Sequence, residues 1–164
     1  MKKIGAITVG QTPRTDLIPE IAPILGDSIE IIQMGGLDGL TKEEIQTMTP
    51  APGDHVLVSR LKDGSSVSFG ESHILPRLEA CMDQLKKDQV SLILFLCTGE
   101  FPDTFQADVP LIFPSKILTS IVSAIHPHRL AVIAPVKEQL PQMQTKWALS
   151  FLTKVITNYF LTEN

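Results

Sequence analysis

Leu92-Ile93-Leu94-Phe95-Leu96-Cys97-Thr98-Gly99-Glu100 is the stretch that decides the fold. Five apolar residues run without a break and then stop at a thiol, a hydroxyl and a glycine. So short a run, closed by turn-forming residues, reads as a strand buried on both faces, the kind found in parallel sheets. Three further β-branched and nearly continuous runs lie at residues 4–9, 29–34 and 130–134.

Helical patterns fill the gaps between these runs. Residues 17–25 form a short one that carries Pro19 and Pro23, with Asp16 placed to cap it. Thr41-Lys42-Glu43-Glu44 is a capping box, so a helix starts there and ends before Pro50. Ile74, Leu75, Leu78, Cys81, Met82 and Leu85 recur at helical spacing, and another helix is expected over about residues 115–125. Strands alternating with helices indicate an α/β fold with a mainly parallel sheet. One unit departs from that pattern. Val56-Leu57-Val58 and Ser66-Val67-Ser68-Phe69 flank Lys62-Asp63-Gly64-Ser65, and Asp-Gly between strand-like runs predicts a β-hairpin, placed at an edge of the main sheet. Near the end, Trp147, Ala148, Phe151, Leu152, Val155, Ile156, Tyr159 and Phe160 predict an amphipathic helix.

The totals narrow the function classes. The 164 residues carry 14 basic and 18 acidic side chains, a net charge of −4, and no basic stripe, which argues against a nucleic-acid partner. The opening run after Met1-Lys2-Lys3 is too short for a signal peptide, and no run reaches the length of a membrane span. Two cysteines without a Cys-x-x-Cys pattern read as reduced thiols, hence a cytoplasmic protein with no membrane partner. The histidines His55, His73, His126 and His128 show no metal-ligand spacing, so neither metal nor cofactor is expected.

In open parallel sheets, ligands bind beyond the carboxyl ends of the strands. The segments there are Gly10-Gln11-Thr12-Pro13-Arg14-Thr15-Asp16, Gly35-Gly36-Leu37-Asp38-Gly39, Cys97-Thr98-Gly99-Glu100 and Pro135-Val136-Lys137-Glu138-Gln139, which a common parallel sheet would bring to one rim. Cys97 is the candidate catalytic residue, since a thiolate is reactive and its pKa responds to nearby cations and backbone N–H groups. Packing is the competing role, because free cysteine is among the most buried residue types. Cys81, on the apolar stripe of a helix, is a core residue. Arg14 offers a planar fork for a carboxylate, against the alternative of a local pair with Asp16. Gly35-Gly36-x-x-Gly39 lacks both the dinucleotide and the Walker spacing, so a plain turn is the default. No arginine follows Cys97 as a phosphatase-type loop requires.

Taken in order, Thr8-Val9-Gly10-Gln11-x-Pro13-Arg14-x-Asp16, Leu37-Asp38-Gly39-Leu40-Thr41, Arg60-Leu61-x-Asp63-Gly64 and Leu96-Cys97-Thr98-Gly99-Glu100-Phe101-Pro102 resemble the AroM family. The likeness extends over about residues 3–147, with residues 114–117 and 134–139 continuing it, and ends after Trp147. That family is in turn similar to the aspartate/glutamate racemase superfamily, whose members have two Rossmann-like lobes with a cysteine from each flanking a small carboxylate. The resemblance implies a first lobe at residues 1–128 and the start of a second at 129–164. It implies Cys97 as the first-lobe thiol, acting as proton donor or acceptor. Gly10, Gln11, Arg14, Thr98 and Gly99 become substrate-binding candidates. Superfamily members often carry Asn where Thr98 stands. The second-lobe cysteine has no counterpart here, so the expectation is a shortened second lobe. The functional expectation is therefore divided between a racemase- or lyase-like enzyme on a small carboxylate, a non-catalytic small-molecule-binding or regulatory protein, and an inactive remnant. A homo-oligomer is a further expectation, since a second copy would complete the cleft.

Overall fold

The computed structural model describes residues 1–150 and 154–159. Its centre is β1 (Lys2–Thr8), whose last five residues are all buried. β2 (Ile29–Gly35) pairs with it in parallel on one side and β5 (Ile93–Phe95) on the other, with Ile4 opposite Ile31 and Ile7 opposite Phe95. β6 (Leu111–Ile112), a two-residue strand that periodicity does not reveal, closes the order β2-β1-β5-β6. All pairings in this sheet are parallel, as the largely apolar runs predict, and the fold is a Rossmann-like α/β fold.

The helices follow their sequence signals closely. α1 is Ile18–Leu25. Asp16 does not cap it, because its carboxylate is taken up by Arg14. α2 (Lys42–Gln46) opens with the expected reciprocal capping box between Thr41 and Glu44. α3 (Glu71–Lys87) turns Ile74, Leu78, Cys81, Met82 and Leu85 inward. It packs against β1 and β2, and a β-carbon on Gly5 would press into Leu85. That position therefore needs glycine for close helix–strand approach. α4 (Pro114–Ile125) buries only Ser115 and leaves Ile117, Leu118, Ile121 and Ile125 exposed.

Two expectations change. The hairpin of β3 (Val56–Arg60) and β4 (Ser66–Gly70) forms, with Asp63-Gly64 at its turn, but it is a separate two-stranded sheet and not an edge of the main one. Its inward side chains Leu57, Leu61, Val67 and Phe69 join the same core as Ile7 and Phe95. A ribbon with one apolar face gains more by laying that face on the core than by extending the sheet edgewise. The second change is at the C-terminal end. α5 (Leu140–Ser150) carries Trp147 and Ala148, but Lys154–Tyr159 is a strand, β8, paired in parallel with β7 (Arg129–Ala134). Val155, Ile156 and Tyr159 fit a helical stripe by spacing, yet the β-branched run Val155-Ile156-Thr157 favours a strand, and β7 offers it a pairing edge. Phe151, Leu152 and Phe160, the rest of the expected helix, lie outside the described residues. The strand at residues 130–134 consequently belongs to a sheet of its own with β8.

Among the described residues, no helix is long and apolar enough to cross a membrane.

Candidate functional site

The chain reverses direction across the sheet at β1, with β2 to one side and β5 to the other. Such a switch point opens a crevice beyond the carboxyl ends of the two central strands. Val9 leaves β1 there and Cys97 leaves β5, and the two strands are still tied at that end by the Leu96 N–H donating to the Ile7 carbonyl at 2.6 Å.

A cavity of about 300 Å³ fills this crevice. Cys97, Thr98 and Gly99 form one wall. The hairpin supplies His55, Leu57 and Val58, and the segment after β7 supplies Pro135 and Gln139. α5 adds Gln142, Met143, Lys146 and Trp147. β7 is not in the main sheet, yet the segment after it reaches the Cys97 rim as the sequence reading expects. The connection is made by α5 and the hairpin: Gln142 accepts from the Val56 N–H at 2.9 Å and donates to its carbonyl at 3.0 Å, and Gln139 donates to the same carbonyl at 2.8 Å. The Gln139 side-chain oxygen is buried without a hydrogen-bond partner.

Cys97 is half-buried and reduced. Burial pushes its thiol up to about 11, against smaller opposing effects from a Gly99 backbone hydrogen bond, the Lys146 ammonium and the Arg14 guanidinium. The group presented to the cavity at neutral pH is therefore an S–H. Lys146, itself buried, donates to the Thr98 carbonyl at 3.1 Å, and burial lowers its pKa while Glu100 and Cys97 oppose that change. Across the cavity, His55 Nδ1 lies 3.2 Å from Glu71 Oε2. Burial raises the Glu71 pKa, with the nearby His55 opposing.

The loop that carries Cys97 is held from below by aromatic rings. Phe101 and Phe105 pack on Phe95 with centroids 5.1 and 6.0 Å away, and Phe113 stacks on it at 4.6 Å. The single buried ring of β5 thus anchors both ends of the segment after it.

The structure separates the sequence-derived candidates into two groups. Cys97, Thr98 and Gly99 line the cavity. Gln11 and Arg14 instead line a second cleft, beside the hairpin turn. Gln11 bridges loops, donating to the Leu40 carbonyl at 3.4 Å and accepting from the Lys62 N–H at 3.1 Å. Arg14 grips Asp16 with two parallel hydrogen bonds of 2.8 and 2.7 Å and donates to Thr8 Oγ1 at 3.0 Å. That bond to Arg14 holds the Asp16 carboxyl down at about 2 and raises the Arg14 pKa in return. Gly10 lies between the two groups, where a β-carbon would overlap the Ser59 hydroxyl.

The Gly35-Gly36-x-x-Gly39 segment is a turn, as its spacing suggests. Asp38 accepts from the Gly35 N–H and from both the N–H and the hydroxyl of Thr12, while Arg77 binds the carbonyls of Gly36 and Asp38. Cys81 is buried on α3, in the core role expected of it. No group of three or more metal-ligating side chains occurs among the described residues.

Lys146, Gln142 and His55 carry no sequence signal that marks them as site residues. Lys146 and Gln142 sit on a helix whose apolar pattern gives no hint of a polar face turned inward. Gln139 was within reach, since it follows the last predicted strand.

No curated protein matches the chain. The family model described as AroM protein matches residues 4–159. The match runs past Trp147 to Tyr159, further than the motifs alone suggested, and so includes β8. With nearly the whole described chain inside that match, the chain belongs to the AroM protein family.

Proposed function

We propose that the Cys97 cavity binds a small carboxylate with an apolar body, and that the Cys97 thiol gives it a proton in a racemase- or lyase-type reaction. The observation that carries this reading is the Cys97 thiol lining a cavity with apolar walls, on a loop whose Thr98 carbonyl is held by the buried Lys146 side chain. In such a step the C–H bond next to the carboxylate breaks as its proton passes to the minor thiolate fraction of Cys97, and the S–H so formed, its hydrogen traded with water, breaks as a C–H bond forms again on that carbon. The thiolate left behind is stabilised by Lys146 and Arg14 until water reprotonates it. The Thr98 and Gly99 backbone and hydroxyl groups hold the carboxylate, and Gly10, Gln11 and Arg14 shape the loop behind it. The apolar walls from Val9, Leu57, Met143 and Trp147 accept the rest of the molecule. Two free cysteines fit a reducing compartment, the cytoplasm.

The test is exchange of substrate carbon-bound protons with deuterated solvent across a panel of small carboxylates, followed by NMR. Exchange by the natural chain and its loss in Cys97→Ala support the reading. Absence of exchange throughout the panel opposes it.

A second reading has one observation in its favour. A thiol held near 11 is a weak nucleophile and base at neutral pH, which suits a binding or regulatory site as well as an enzyme. Thermal stabilisation by a carboxylate without any proton exchange would select this reading.

A further inference from the structure

The cleft that takes up Gln11 and Arg14 has a charge pattern of its own. Its volume is about 310 Å³, and its lining shares no residue with the Cys97 cavity. Three cations border it, Arg14, Arg60 and Lys62, against one carboxylate, Asp16. Arg14 and Asp16 neutralise each other through their paired hydrogen bonds. Arg60 and Lys62 are different. Among the described residues, neither side-chain cation takes part in a hydrogen bond or ion pair, although Arg60 is near enough to help keep Asp16 ionised.

Their placement follows from the hairpin. Arg60 ends β3 on the face turned away from the core, opposite Ser66. Its guanidinium extends over Gly64, where a β-carbon would stand 3.5 Å from the Arg60 Nη2. The Lys62 N–H is fixed to Gln11, which ties the turn to the loop after β1. Two uncompensated positive charges are thus held at one cleft of a chain whose net charge is −4.

We infer that this cleft is an anion site for a phosphate monoester group, bound by Arg60 and Lys62 with Thr15 also in its lining. Two unmatched cations call for a dianion. A phosphate monoester carries close to two negative charges near neutral pH, whereas a single carboxylate would leave one cation unmatched. The Arg60 fork matches two phosphate oxygens and Lys62 supplies a point charge. Asp16 disfavours a ligand that would press against the Arg14 side.

The experiment is a titration of the full chain, isotope-labelled, followed by amide NMR at constant ionic strength. The probes are inorganic phosphate, glycerol phosphate and, for comparison, acetate. Saturable shifts centred on Thr15, Lys62 and Gly64 are expected with both phosphates, with acetate binding about tenfold more weakly or less. Affinity should fall several-fold from about pH 7.5 to about pH 5.5 as the dianion takes up a proton. Arg60→Gln and Lys62→Gln, at exposed positions that tolerate replacement, should each weaken phosphate binding about tenfold, while Lys116→Ala leaves it unchanged. The inference is overturned if phosphate produces no saturable shift. It is equally overturned if binding survives both glutamine variants, or if acetate binds as well as phosphate. None of these outcomes touches the reading of the Cys97 cavity, whose lining shares no residue with this cleft and whose test reads proton exchange at carbon.

Discussion

Gln142 on α5 pairs with the backbone of Val56 as a strand would, its side-chain oxygen accepting from the Val56 N–H at 2.9 Å and its amide donating to the Val56 carbonyl at 3.0 Å. The start of β3 is thereby joined to the helix that brings Lys146 to the Cys97 loop. The cavity depends on this joint, because one wall is hairpin and the facing wall is α5.

Gln142→Ala should therefore destabilise the chain by about 1–2 kcal/mol, since it leaves the partly buried Val56 N–H without its partner. Gln139 already donates to the Val56 carbonyl, so only the N–H is orphaned. Urea unfolding checks this through the midpoint at unchanged slope. A midpoint equal to that of the natural chain would show that water replaces Gln142 at no cost.

Cys97 should alkylate slowly at neutral pH. With its thiol near 11, roughly one molecule in ten thousand is ionised at pH 7, far below an ordinary thiol near 8.5. In a Cys81→Ala background, the iodoacetamide rate should rise with pH up to about 11, and Lys146→Met should shift the profile higher still, because Lys146 favours the thiolate. The linkage has a definite sign. The folded pKa lies above the unfolded one, so the stabilisation is fully present below about 8.5 and is lost as pH rises toward about 11. Thermal melts across that alkaline window measure it, and Cys97→Ala should flatten the slope.

Gly10→Ala should cost about 1–3 kcal/mol through overpacking, because the new β-carbon meets the Ser59 hydroxyl. Ser59→Gly removes the obstacle, so the double variant should recover much of that loss in a double-mutant cycle. Purely additive effects would mean that the strain at Gly10 has another source.

Phe101→Ala removes a buried ring that packs on Phe95 and should destabilise by about 3–5 kcal/mol. The same change loosens the Cys97 loop, so alkylation of Cys97 at fixed pH should accelerate. A stability loss with no change in alkylation would show that Thr98 and Lys146 alone fix the loop.

Local pattern was enough for most elements. The apolar runs at β1 and β5 define parallel strands because burial on both faces demands nearly continuous hydrophobicity, while β2, interrupted by Glu30 and Gln33, takes the edge of the sheet. Thr41 and Glu44 define the start of α2 through a hydrogen-bond exchange that needs no tertiary partner. Asp63-Gly64 defines the hairpin turn, where Gly64 adopts a positive φ of 85°. Pattern failed at residues 154–159, where spacing fits both periods and pairing with β7 settles the choice.

What the sequence by itself determined was where each thiol stands: Cys97 just beyond a buried strand, and Cys81 in the core. Tertiary structure alone decided what surrounds Cys97. Lys146, Gln142 and His55 come from elements distant in the chain, and only packing of the hairpin and α5 over the switch point brings them to Cys97. It also decided that Arg14 turns to Asp16 and a separate cleft. A strand end is a property of local hydrophobic order, whereas the charge and shape of a site depend on which distant side chains the fold brings together.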